Sequence, residues 1–136
     1  MIVFIGCVKT KQRKICAAEE LYISPLFRYS LQYAKTITSP DKIFILSAKY
    51  GVLSLRDIIA PYELCLNDMT EKQCKKWAEK CIQQMKDHNI NFDEKTVFLC
   101  GEKYRKYIIN NFKNNSVPLK NIPFGKQLKF YKEKLS

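Results

Sequence analysis

The sequence predicts an α/β domain of three layers, α/β/α, with a mainly parallel central sheet. Three observations carry that expectation. Short continuous apolar runs recur along the chain, as in strands buried on both faces. Between them lie segments whose apolar residues repeat at helical spacing. Strands that alternate with helices in this way need right-handed crossovers, which make the sheet parallel and cover both its faces. The chain has 136 residues, which suits a single domain, 1–136, able to bury a core without staples.

The elements follow in order. Met1-Ile2-Val3-Phe4-Ile5 is an apolar run that ends at Gly6, and reads as the first strand. Residues 16–23 are mixed and read as a short helical turn. Ser24-Pro25 is an N-cap followed by proline at the first helical position. Leu26, Phe27, Ser30, Tyr33, Ala34 and Ile37 give that helix an inner face, and Ser39-Pro40-Asp41 ends it. Lys42 to Ser47 is the second strand, Tyr50-Gly51 a turn, and 52–62 an extended or irregular segment. Thr70 caps a helix that runs to about Asp87, with Cys74, Trp77, Ala78, Cys81, Ile82 and Met85 on its apolar side. Thr96 to Cys100 is the third strand, closed by Gly101. Residues 102–113 read as a helix, Val117 to Leu119 as a short strand and 126–135 as a final helix.

Composition supports a folded protein of the reducing interior. Hydrophobic residues make up 46% and charged residues 27%, a globular balance. The apolar start precedes its positive charges, the reverse of a secretory signal. No run is long enough to span a bilayer, so the cytoplasm is the expected compartment, with no membrane partner. None of the 6 cysteines forms a C-x-x-C pair, and the sole histidine, His88, lies in a polar stretch. No metal site is expected; the cysteines read as small buried hydrophobes.

The net charge of +11 is unevenly placed. Residues 1–14 hold four basic side chains and no acidic one. Residues 15–100 hold eleven of each. Residues 101–136 hold nine basic and two acidic side chains. A fold that joins the two ends creates a positive field suited to a polyanion.

In open α/β sheets, ligands bind beyond the carboxyl ends of the strands. Three loops occupy that position: Gly6-Cys7-Val8-Lys9-Thr10-Lys11, Ser47-Ala48-Lys49-Tyr50-Gly51 and Gly101-Glu102-Lys103-Tyr104. Each combines small residues with lysine, and two add tyrosine. Lysines and backbone N–H groups suit phosphate, and a tyrosine face suits a base. The glycine spacing is neither a Walker loop nor a dinucleotide fingerprint, and no cofactor is expected. Cys7 has two readings: a small residue chosen for fit, or a thiolate favoured by nearby lysines.

Cys7 to Lys11, Leu21 to Phe27, Ile45 to Leu53, Pro61-Tyr62-Glu63, Leu99 to Tyr104 and Pro123 to Gln127 resemble, in order, the YaaA-like domain family of unknown function. The stretch Leu46 to Leu53 is the most specific part. The first loop is also similar to the Cys-Ser-x-Lys-Lys element of an archaeosine-synthase lyase domain, whose fold resembles uracil-DNA glycosylases. This likeness implies a three-layer α/β/α fold and work on nucleobases at the glycosidic bond, by a glycosylase-like hydrolase or lyase. The expected partner is a nucleic acid, DNA rather than RNA. The chain departs from the element at Val8, and no motif contains a histidine, so the uracil-type mechanism does not carry over.

The leading expectation is an enzyme that processes a nucleobase within a nucleic acid, cleaving an N-glycosidic bond. Asp57, Glu63 or Glu102 would orient water, or Lys49 would attack the sugar as an amine. Substrate binding is expected from Gly6, Cys7, Lys9, Lys11, Ser47, Tyr50, Tyr62, Gly101, Tyr104, Lys126 and Gln127. The alternatives are a non-catalytic nucleic-acid-binding protein of a stress response, and an enzyme on free nucleosides or nucleotides.

Overall fold

The computed structural model describes residues 1–9 and 11–136; Thr10, expected in the first loop, lies outside the described residues. The elements are β1 (Ile2–Gly6), β2 (Cys16–Ala17), α1 (Ala18–Leu21), α2 (Pro25–Ile37), β3 (Ile43–Ser47), β4 (Gly51–Ser54), β5 (Ile58–Ile59), α3 (Glu71–Asp87), β6 (Thr96–Leu99), α4 (Glu102–Arg105), β7 (Asn115–Ser116) and α5 (Phe124–Leu135). The main sheet runs β4-β3-β1-β6-β7. It is parallel except for β4, which folds back antiparallel on β3. Helices α2 and α5 pack together, with α2 against β1, while α3 packs against β4. The architecture is α/β/α.

The apolar runs become the three central strands because both faces of the sheet are covered. Ile2 to Ile5, all of β3 and all of β6 are buried. Parallel register aligns Phe44, Phe4 and Phe98 in one row across three strands. Their ring centroids stand 5.8 and 5.3 Å apart, and Phe112 meets Phe4 and Phe98 edge-on. Such pairs add about 0.5–1.5 kcal/mol each beyond area burial.

Local chemistry sets the helix ends. The Ser24 hydroxyl accepts from Phe27 N at 3.2 Å and starts α2. Thr70 and Gln73 form a reciprocal capping box that starts α3. The β3–β4 turn needs Gly51, whose φ is +79° and where a Cβ would collide with the Gln84 carboxamide. From α3, Gln84 clasps this turn: its Oε1 accepts from Val52 N at 2.8 Å, and its Nε2 donates to Tyr50 O at 3.0 Å.

Four expected elements differ from the observed ones. The segment 16–23 opens with β2, which pairs antiparallel with β5, before the single helical turn α1. The extended segment 52–62 resolves into β4 and β5. The helix expected over 102–113 stops at Arg105 and is followed only by a 3₁₀ turn at Ile109–Asn111. Two β-branched residues and two asparagines propagate a helix poorly, and the Asn111 side chain takes the Ile108 carbonyl at 3.1 Å. The last strand is Asn115–Ser116, not Val117 to Leu119. Pro118 has no N–H for a ladder, and Val117 O accepts from Lys120 N in a turn.

Candidate functional site

Parallel pairing of β1, β3 and β6 brings the loops that follow them to one edge of the sheet. A cavity of about 840 Å³ opens there. Its floor is formed by the ends of β1 and β6, from Gly6 to Val8 and from Leu99 to Gly101. One wall is the first turn of α2, and another is α5 with Phe124, Gly125, Gln127, Leu128 and Tyr131. The 64–67 segment and α4 complete it, through Leu64, Cys65, Asn67, Glu102, Lys103 and Tyr104. The lining is mainly apolar, with lysines 9, 11 and 103 around it.

Close approach of β1 to Cys100 requires a glycine at position 6, where a Cβ would stand 2.9 Å from the Cys100 Cβ. Cys7 is nearly buried. Its sulfur lies 3.2 Å from the Tyr104 hydroxyl. The Tyr104 ring in turn stands edge-on to Trp77, at 5.9 Å between centroids. Burial first, and Cys7 second, push the Tyr104 hydroxyl's pKa well above the ordinary tyrosine range. Burial pushes the Cys100 thiol up to about 12. Tyr131 is wholly buried in the α5 wall, and its hydroxyl has no hydrogen-bond partner among the described residues.

Lys11 enters from the far end of the first loop, where its backbone bridges antiparallel to Tyr22. Its ammonium donates to the Lys9 carbonyl at 3.2 Å and lies 4.4 Å from the centre of the Tyr62 ring. Burial lowers its pKa below the usual 10.5, while Cys7, Cys65 and Glu63 act in the opposite direction. Behind it runs a chain of hydroxyls. Ser47 Oγ donates to Tyr62 at 2.8 Å, and Tyr62 meets the Tyr22 hydroxyl at 2.7 Å. Burial pushes Tyr22 up to about 12 and Tyr62 higher still.

The residues expected at the site separate into two groups. Gly6, Cys7, Lys9, Lys11, Gly101, Glu102, Tyr104 and Gln127 line the cavity. Ser47, Lys49, Tyr50, Asp57, Tyr62, Glu63 and Lys126 are not among its lining residues. Ser47 is fully buried; its hydroxyl accepts from Tyr50 N and its carbonyl accepts from Trp77 Nε1 at 2.9 Å. Tyr50 is braced outside the cavity, with its hydroxyl between Ala60 O at 3.0 Å and Ala60 N at 3.2 Å. Lys49 is exposed, with its ammonium 5.3 Å from the Tyr50 ring. Asp57 is also exposed and accepts from Ser54 N at 2.9 Å, closing the turn between β4 and β5. Glu63 is exposed near Lys11. Lys126 is exposed on the first turn of α5, between the lining residues Gly125 and Gln127.

Sequence reading missed the α2 wall, the 64–67 segment and Phe124. The first two carry no chemistry-bearing pattern. Phe124 did carry a signal, an aromatic between Pro123 and Gly125 at the head of a helix. It is 78% exposed on the cavity rim. Among the described residues, no side chain caps the α5 N-terminus beside it.

Fold and site together define a class: an α/β/α domain with a largely apolar, lysine-bordered cavity beyond the carboxyl ends of its parallel strands. Residues 2–133 match a family of unknown function (DUF6884), and the chain belongs to that family. A search of curated proteins finds no match.

Proposed function

We propose that the cavity accepts one nucleobase of a nucleic-acid strand, DNA in preference to RNA, and that the protein cleaves its N-glycosidic bond. The observation that carries the reading is the cavity: about 840 Å³, mainly apolar inside and bordered by lysines 9, 11 and 103. A shallow basic groove would suit binding alone. A mainly apolar space of this volume suits a base removed from its stack, and cations around it suit the flanking phosphates. The uncapped N-terminus of α5, next to Lys126, adds a second phosphate-favouring element at the rim. The resemblance of the first loop to a lyase element on a uracil-DNA-glycosylase-like fold supports the same chemistry.

In the hydrolytic form, the C1′–N bond breaks and its electron pair leaves with the base, which takes up a proton. Water adds its oxygen to C1′ and releases a proton. Glu102 is the carboxylate among the cavity's described lining residues, and the reading assigns it to orient that water. Asp57 is committed to its turn. The test is a panel of modified and unmodified DNA and RNA oligonucleotides, with free nucleosides in parallel, assayed for released base by mass spectrometry. Base release from DNA is the expected result. Oligonucleotide binding with no release in any arm would make the chain a binding protein instead. Release from nucleosides alone would remove the strand from the reading.

A further inference from the structure

We infer that Lys11 is the amine that forms a covalent adduct with the sugar carbon of the nucleotide held in the cavity. The inference rests on the proposed base-processing reading and names its nucleophile. Three features of the structure carry it. Lys11 lines the cavity, whereas Lys49, the lysine that loop position alone suggests, is exposed and outside it. The Lys11 amine stands 4.4 Å from the centre of the Tyr62 ring and 5.8 Å from that of Tyr22, at the edge of the cavity, and makes an exposed hydrogen bond to the Lys9 carbonyl at 3.2 Å. None of the described salt bridges involves Lys11. Cys7, Cys65 and the exposed Glu63 favour its charged form, but desolvation outweighs them and makes the proton easier to lose than from a solvated lysine; the neutral form is the nucleophile.

The step balances without an added co-reactant. The amine nitrogen attacks C1′, and the C1′–N bond to the base breaks. The base leaves with the electron pair and takes up a proton, while the nitrogen gives one up. Opening of the sugar ring at O4′, which takes a proton, leaves an iminium between Lys11 and C1′. Water then hydrolyses it and restores the lysine.

The test separates this inference from the reading beneath it. One arm uses DNA oligonucleotides from which the protein releases a base. The other uses DNA with a preformed abasic aldehyde, which needs no base release. Each is incubated with the full chain and sodium borohydride, whose hydride reduces an iminium to a stable secondary amine. The expected result is a one-to-one adduct in both arms, mapped to Lys11 by peptide mass spectrometry. It is lost in Lys11→Ala and in Lys11→Arg, which keeps the charge, and retained in Lys49→Ala and in Lys86→Ala, an exposed position on α3 away from the cavity. Mapping on the unmodified sequence keeps the test valid if a variant fails to fold. Base release with no adduct, or an adduct mapped to another lysine, overturns the inference. A Lys11 adduct on abasic DNA with no base release in any oligonucleotide overturns the reading of base excision and leaves Lys11 as the reactive amine.

Discussion

Lys11 and Lys49 sit in loops at the same sheet edge, yet their surroundings differ. Lys11 is half-buried against two tyrosine rings, and Lys49 is exposed. Both were legible in the sequence as loop lysines; the difference was not, because burial comes from Tyr62, 51 residues away along the chain. Burial lowers the Lys11 pKa against Cys7, Cys65 and Glu63, which favour the charged form. A lysine shifted downward deprotonates earlier as pH rises. An NMR titration of the Lys11 amine should therefore show a midpoint below 10.5; a midpoint at or above that value contradicts the burial argument. Tyr50 was expected to face the ligand, but it braces Ala60 and stands edge-on to Tyr62, 5.6 Å between centroids. Tyr50→Ala should accordingly cost stability, about 2 kcal/mol for a half-buried aromatic with two hydrogen bonds, read from the shift in urea midpoint. Lys49→Ala should stay within about 0.5 kcal/mol of the parent.

At the scale of elements, the strands and the two long helices were legible because each carries its own period and caps. Ser24-Pro25 and Thr70 with Gln73 mark their helix starts locally. The elements that were misplaced are those decided by long-range contacts. β2 exists because β5 lies opposite it, and the two are 43 residues apart at the pair Cys16 and Ile59. The 102–113 helix fails because Ile108 and Phe112 are buried on a backbone that asparagine side chains hold in turns. The β3–β4 hairpin also depends on a distant element, through Gln84. Gln84→Ala removes two hydrogen bonds from a partly buried turn and should destabilise the fold by about 2 kcal/mol. Gly51→Ala, strained at positive φ and crowded by the same side chain, should cost at least about 1 kcal/mol. Equal urea midpoints for parent and Gln84→Ala would show that the hairpin holds without its clasp.

For the whole molecule, the charge asymmetry along the sequence acquires a location. Lys9 and Lys11 from the first segment line the same cavity as Gln127 and Leu128 from the last helix, with Lys126 beside them. The sequence showed that the excess charge lay in the two ends; it could not show that the ends meet, because that follows from the order of strands in the sheet. Binding of a single-stranded oligonucleotide should weaken steeply with salt as condensed counterions are released. Lys9→Ala and Lys126→Ala should each reduce the slope of log affinity against log salt by about 1. Lys86→Ala, on the exposed end of α3, should leave it unchanged. A salt-independent affinity would exclude a polyanionic ligand.

Trp77 gives the molecule an optical property of its own. It is the sole tryptophan, it is nearly buried, and it stands edge-on to Tyr104, whose residue lines the cavity. Selective excitation of indole therefore produces emission from one emitter at one place, a single residue removed from the cavity interior. A base that enters and touches Tyr104 should change that emission, whereas phosphates held only at the lysine rim should not. Titrating a strand that carries an extractable base against an abasic strand of equal length, and following Trp77 emission, would separate occupancy of the interior from attachment at the surface without any label.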